Sequence, residues 1–141
     1  MVLGDTDSEH VFLFWLSQLR TLACGLDRPL GVDTMIAAFQ QTIKLLDGWF
    51  PAHNGEESKF NFLVTDGRLL AATRWGHSLS CLVRQGSGTT GGSDHPLPAT
   101  DAFRSVYIAS EATDGDTWRE VPDRSLLVVD ERLEMHTANL T

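Results

Sequence analysis

The spacing of apolar residues changes its period once along this chain, and that change determines the fold class. In the first part, apolar side chains recur every three or four residues in two segments. We predict helices there, from Asp7 to about Ala23 and from about Asp33 to Leu46. From Lys59 onward, apolar and polar residues alternate, which is typical of strands. Two helices followed by about five mainly antiparallel strands predict an α+β fold.

Turn signals divide the second part of the chain. Asp66-Gly67 predicts a hairpin between strands at 59–65 and 68–75, because both turn positions tolerate positive φ. Residues 86–102 are rich in Gly, Ser, Thr and Pro, and we expect a flexible excursion there. The remaining predicted strands are Leu79–Arg84, Ser105–Ala109 and Leu126–Val129, and a turn at 130–132 leads into Leu133–Thr137. In the first part, Gly48 and Pro51 predict the end of the second helix.

Size and charge exclude several classes of partner. The 141 residues predict a single domain, which can bury about two-thirds of its unfolded surface. A formal charge of -8, with scattered basic residues, argues against nucleic acid and anionic membranes. No apolar run approaches the ~20 residues of a membrane span, and the first nine residues do not resemble a signal peptide. With two cysteines outside any motif, Cys24 and Cys81, we expect a cytoplasmic protein.

The first predicted helix begins with a polar, acidic segment that forms a capping box. Thr6 at the N-cap can accept a hydrogen bond from the backbone N–H of Glu9, and the Glu9 side chain can return one. Such a cap stabilises a helix by about 1 kcal/mol. Asp7 lies in the first turn, where the helix dipole favours a negative charge. This segment therefore has a structural role whether or not it binds a ligand.

Motifs for metal, phosphate and nucleophilic chemistry are weak in this sequence. None of the five histidines pairs with another at metal-ligand spacing, and a zinc site needs three or four converging ligands. Neither a G-x-S-x-G elbow nor a glycine-rich loop before a helix occurs. We therefore predict no metal and no cofactor. The sequence leaves open a nucleophile and a base that only the fold brings together. Cys81 with His77 is the weakest candidate for such a pair.

Four segments, in order along the chain, carry a resemblance to one enzyme family. They are Gly4–Glu9, 60–67 with 70–75, Ile108–Glu111 with Asp116–Trp118, and Val121–Asp123 leading into Leu126–Val129. Together they resemble class II glutamine amidotransferases, which have the N-terminal nucleophile hydrolase fold. The nearest branch is the ergothioneine-pathway γ-glutamyl amidohydrolase and the glutathione-degrading amidotransferase. The resemblance implies that residues 1–141 form a single partial domain, the C-terminal part of a four-layer αββα sandwich.

The resemblance also implies a substrate site without a catalytic residue. In the family, the aspartate that matches Asp7 receives the α-ammonium group of a γ-glutamyl amide, and we assign the flanking Thr6 and Ser8 to the same site. The family's nucleophile is an N-terminal cysteine whose own α-amino group is the base, whereas residue 2 here is Val2. We therefore expect this chain to be the C-terminal portion of the enzyme and inactive alone. His53-Asn54-Gly55 spells the family's oxyanion triplet but is interpreted as a turn.

A rival interpretation is a non-catalytic binding or assembly module that kept the fold. It predicts a compact chain that unfolds cooperatively. The partial-enzyme hypothesis instead predicts exposed apolar sheet edges that self-associate or bind a protein partner. On that hypothesis, the chain binds a γ-glutamyl amide only when the missing N-terminal half completes the site.

Overall fold

The computed structural model describes residues 6–23, 29–50, 58–87 and 102–141. These residues form two helices and seven strands, which confirms the α+β class. The elements are α1 (Asp7–Leu22), α2 (Val32–Trp49), β1 (Leu63–Thr65), β2 (Leu70–Arg74), β3 (Ser80–Ser87), β4 (Ala102–Ala109), β5 (Arg119–Glu120), β6 (Ser125–Val129) and β7 (Met135–Asn139). The chain divides into two compact units: unit 1 is Met1–His77 with Pro122–Thr141, and unit 2 is Ser78–Val121.

In unit 1, α1 and α2 pack against a four-stranded antiparallel sheet of order β1-β2-β6-β7. One hydrophobic cluster joins the three elements, because α1 contributes Trp15, α2 contributes Phe39 and β6 contributes Leu126. All five residues of β6 are buried, which is consistent with the continuous apolar run Leu126–Val129 after Ser125.

Helix α2 is longer than the sequence predicts. It continues through Gly48 to Trp49, so the prediction that Gly48 ends it is wrong. A glycine costs a helix interior only about 1 kcal/mol, and the ring of Trp49 packs 5.0 Å from that of Phe14 on α1. The helix ends at Phe50, whose N–H still reaches the Leu46 carbonyl. Phe50 precedes Pro51, and a residue before proline disfavours the helical conformation.

Strand β1 is shorter than the predicted 59–65 because a side chain replaces part of the backbone ladder. The Thr73 hydroxyl on β2 donates to the Phe60 carbonyl at 2.6 Å and accepts from the Phe62 N–H at 2.7 Å. The predicted alternation is still present, since Phe60 is buried and Leu63 is 62% exposed.

The predicted hairpin between β1 and β2 forms, but its turn differs. Thr65 pairs with Leu70, which leaves four residues in the loop. Of the two residues expected to tolerate positive φ, Gly67 adopts it (+88°). Asp66 instead uses its carboxylate, which accepts from the backbone N–H groups of Arg68 and Leu69 at 2.9 and 2.7 Å. The aspartate thus acts as a side-chain cap of the turn.

Two non-glycine residues with positive φ flank β6. Arg124 (φ +54°) directly precedes the strand, and Leu133 (φ +59°) lies in the turn that joins it to β7. The Arg124 guanidinium stacks 4.9 Å from the centre of the Trp75 ring. In the second turn, Asp130 bonds to Glu134 through the backbone.

Unit 2 is a three-stranded antiparallel sheet of order β4-β3-β5. Its long strands extend into the segment that we expected to be a flexible excursion: β3 runs to Ser87, and β4 starts at Ala102. At those two ends of residues 86–102 the expectation is therefore wrong, and residues 88–101 lie outside the described part. The extension follows from an uninterrupted ladder that pairs Ser80 with Ala109 and Ser87 with Ala102.

A charged cluster lies beside the sheet of unit 2. Arg84 on β3 bonds to Asp116 at 2.7 Å through Nε and to Asp114 at 2.5 Å through a terminal nitrogen. The indole N–H of Trp118 donates to Asp114 at 2.8 Å, and the Arg84 guanidinium stacks on the Tyr107 ring. The Trp118 bond is the largest cause of the lowered pKa of Asp114. The cluster anchors the loop that precedes β5.

Neither described helix combines the length and apolarity that crossing a bilayer would require.

Candidate functional site

The start of α1 has the geometry that the capping box predicts. Thr6 is the N-cap in an extended conformation, with φ -89° and ψ 142°. Its hydroxyl accepts from the Glu9 N–H at 3.3 Å, and its carbonyl accepts from the N–H groups of Glu9 and His10. The sequence forms this local structure because a threonine side chain can satisfy a donor that the first helical turn leaves without an intrahelical partner.

All three predicted substrate-binding residues lie together on the surface of this turn. Thr6, Asp7 and Ser8 are exposed. Asp7 is four residues before Val11, so the two side chains share one helix face. A carboxylate at this position faces solvent at the positive end of the helix dipole, and it can pair with a cation that approaches from outside. Whether it does so stays a prediction.

A groove begins on the same face, one turn further along α1, and runs between α1 and strand β1. We call it the α1–β1 groove. It contains two cavities of about 200 and 510 Å³, and Phe12, Trp15 and Val64 line both of them. The first is also lined by Val11 and Leu63 and the second by Met35 and Asp66, with further residues of the same elements. The groove is open to solvent and mainly apolar.

Besides Thr65, Asp66 and Arg68, which line the larger cavity, the polar groups of the groove are few. The Asn61 side chain accepts from the Trp75 N–H at 2.9 Å and donates to the His77 carbonyl at 3.3 Å, so its amide serves the fold. Thr42 donates to the Ala38 carbonyl one turn back in its own helix. The indole N–H of Trp15 is buried and has no hydrogen-bond partner within the described residues. This surface therefore suits apolar polypeptide better than the polar end of an amino acid.

Of the other predicted chemical groups, Cys81 and His77 lie among the described residues. Cys81 is a free thiol on β3, but it is buried and paired with Ile108 on one side and Arg119 on the other, which does not favour it as a nucleophile. Cys24 and the triplet at 53–55 lie outside the described residues.

The sequence analysis missed two features. The α1–β1 groove was not predicted, although the apolar run that opens α1 was its signal. A group of three metal-binding side chains, Asp130, Glu134 and His136, also went unrecognised, because they converge only through the turn between β6 and β7.

The solved structures that resemble this fold include the following two. One is a predicted glutamine amidotransferase from Pseudomonas aeruginosa PA01, with a TM-score of 0.67 and 20% sequence identity over 94% of this chain and 51% of that one. The other is a glutamine aminotransferase class-II domain protein from Silicibacter pomeroyi, with a TM-score of 0.61 and 21% identity over 96% and 52%. This chain thus spans about half the length of each. No protein-family model and no curated protein matches the sequence.

Proposed function

We propose that this chain is the C-terminal portion of a class II glutamine amidotransferase-like γ-glutamyl amide hydrolase. The observation that carries the proposal is the fold, which superposes over 94% of its length on about half of a predicted glutamine amidotransferase. The motifs that resemble this family give independent support, since they are read from the sequence and not from the fold. We place the protein in the cytoplasm and in the ergothioneine and glutathione branch.

In the proposed enzyme, this chain supplies the group that orients the substrate. The Asp7 carboxylate pairs with the α-ammonium of the γ-glutamyl amide, and Thr6 and Ser8 flank it. The N-terminal cysteine and the oxyanion donors belong to the other half of the fold. That cysteine would attack the amide carbonyl, release the amine with a proton and leave a thioester, which water hydrolyses to glutamate.

The apolar surface of unit 1 supports the proposal that more polypeptide packs here. The α1–β1 groove is open and apolar, and β1 is an edge strand on which Leu63 is 62% exposed. Edge strands and apolar grooves of this kind bind further chain or a second copy. We propose that the half of the fold that this chain does not include covers this surface in the complete enzyme.

Substrate binding at Asp7 is tested by an amide NMR titration with L-glutamine of the 141-residue protein joined to the N-terminal half of a class II glutamine amidotransferase, because the proposed site is complete only with that half. We expect the N–H signals of the first turn of α1 to shift, and D7N to remove the shifts. N-acetyl-L-glutamine, which has no α-ammonium, should cause none. D33N is the matched control, because Asp33 is also an exposed carboxylate in the first turn of a helix. Equal responses to the two ligands would contradict the role of Asp7.

The absence of a nucleophile is tested by an enzymatic assay of the purified chain. We expect no glutamate release from L-glutamine or from another γ-glutamyl amide. Release above that of a heat-treated sample would overturn the assignment of catalysis to the other half.

The second candidate function is a non-catalytic binding or assembly module that kept the fold, which the continuous buried core of unit 1 favours. This module should unfold in one cooperative transition and bind little of a dye for apolar surface. A partial enzyme should bind the dye strongly at room temperature.

A further inference from the structure

The turn between β6 and β7 brings together three side chains that bind metal ions. Asp130 follows the last residue of β6, and Glu134 precedes the first residue of β7. His136 pairs with Val128 in the antiparallel register, so its ring lies beside the end of the turn. One ligand atom from each of the three lies within 4.8 Å of the other two.

Two of these ligand atoms are already as far apart as two atoms that bind the same metal ion. Nε2 of His136 lies 3.1 Å from Oδ2 of Asp130. With Zn–N and Zn–O distances of about 2.1 Å, atoms at that separation subtend about 95° at a shared ion, between the ~90° and ~109° of regular coordination. In the metal-free chain the two atoms share a hydrogen bond, and a bound ion would displace its proton.

The backbone of the turn fixes the Asp130 carboxylate in this orientation. Its Oδ1 accepts from the N–H groups of Arg132 and Glu134, both at 2.9 Å. Oδ2 is thereby directed to His136. Ligands held by such surrounding hydrogen bonds lose little freedom when an ion binds.

The third ligand and the space around it complete the arrangement. Glu134 is exposed, so rotation of its side chain can close the remaining distance. Asp130 and Glu134 line a cavity of about 260 Å³ that leaves room for water ligands. Arg68 and Arg132 also line this cavity. The Arg68 guanidinium pairs with Glu131, which neutralises one of these two positive charges. Two carboxylates and a neutral imidazole together match the charge of a divalent cation.

We propose that Asp130, Glu134 and His136 form a binding site for a divalent ion of the zinc type. An imidazole nitrogen selects such ions over Mg²⁺ and Ca²⁺, which prefer oxygen ligands alone. The ion joins the end of β6 to β7 across their turn, and water fills its open position. The site is independent of the substrate role proposed for Asp7.

The test is isothermal titration of the chelator-treated chain with ZnCl₂, with the visible absorption of a CoCl₂ complex as a second readout. We expect one saturable site, and H136Q should weaken binding about 10-fold or more. E134Q should also weaken it, and zinc should raise the Tm of the unsubstituted chain.

Two matched controls separate this site from adventitious binding. D47N removes an exposed carboxylate elsewhere in the same unit, and H77Q removes an exposed imidazole of that unit. Both should keep the original affinity. Melting of each metal-free variant shows whether it is folded. Unchanged zinc affinity in folded H136Q, or no saturable binding by the original chain, would overturn the site and leave the pair as a hydrogen bond that closes the turn.

Discussion

The two units of this chain are stabilised in different ways. Unit 1 has a continuous apolar cluster, in which Phe39 and Ile43 of α2 are almost completely buried. Unit 2 has no helix among its described residues. Its buried apolar side chains are fewer, namely Leu79, Cys81, Leu82 and Val121. It also depends on the eight-residue ladder between β3 and β4 and on the charged cluster around Arg84. Apolar burial in unit 1 is thus contrasted with backbone pairing and surface charge in unit 2.

This difference predicts which substitutions destabilise each unit most. A buried apolar contact contributes free energy that solvent does not screen, whereas exposed ion pairs contribute little each. Substitutions of one residue type in both units should therefore differ in effect. The predictions below test that contrast, from the largest expected effect to the smallest.

The largest effect is expected for F39A in the core of unit 1. The Phe39 ring is 1% exposed and lies 5.2 Å from the Trp15 ring, so its removal leaves a cavity. We expect a loss of about 3–5 kcal/mol in the free energy of unfolding, measured by urea denaturation. F103A is the matched control in unit 2, because Phe103 is 41% exposed. Equal losses would show that unit 1 does not depend on its core.

A smaller effect is expected for T73V in β2. The substitution keeps the shape of the side chain but removes the hydroxyl that joins Phe60 to Phe62. An N–H and a carbonyl then lose a buried partner, and we expect a loss of about 1–3 kcal/mol. T137V on the exposed face of β7 should leave the urea midpoint unchanged. If T73V has the same urea midpoint as the original chain, water replaces the hydroxyl as the hydrogen-bond partner.

A still smaller and local effect is expected for R84Q in unit 2. The substitution removes both ion pairs to Asp114 and Asp116, which are exposed. Amide hydrogen exchange should accelerate in the loop before β5 and remain unchanged in α2. R104Q on β4 is the control, since Arg104 is also exposed. Faster exchange throughout unit 1 would contradict a local role.

The smallest effect is a dependence on pH. The Gly76 N–H is the largest cause of the lowered pKa of Asp123 in unit 1, and the Trp118 indole plays that part for Asp114 in unit 2. Because its pKa is lower in the folded state than in the unfolded state, each carboxylate stabilises the folded protein at pH values above its unfolded pKa. This stabilisation disappears as the pH falls through the folded pKa. D114N and D123N should therefore be less stable than the original chain at about pH 6 and lose that difference as the pH falls through the folded pKa of each carboxylate. If the difference in stability persists at low pH, its cause is the shape of the side chain and not its charge.

Local signals predicted most of the fold. The 3.6-residue period located both helices, the Thr6 cap located the start of α1, and alternation located the main strands. The errors have physical causes that local signals do not contain. Contact with Phe14 carries α2 past Gly48, and the Thr73 hydroxyl shortens β1. The two-residue strand β5 was not predicted, because two residues show no period.

The sites were harder to predict than the fold. The sequence placed Asp7 correctly in a first helical turn, since a capping box is a local pattern. It did not reveal the α1–β1 groove, which requires α1 and β1 to be adjacent. It also missed the group at Asp130 and His136, because strand register rather than sequence spacing brings the two side chains together.

The left-handed residues that flank β6 have a consequence for attempts to make this chain resist heat. Arg124 and Leu133 hold conformations that disfavour a side chain by about 1–2 kcal/mol each. Glycine adopts such conformations freely. Arg124 has a reason to remain, because it stacks on Trp75. Of these two positions, Leu133 is therefore the better one at which to select a glycine that raises the resistance of this molecule to heat.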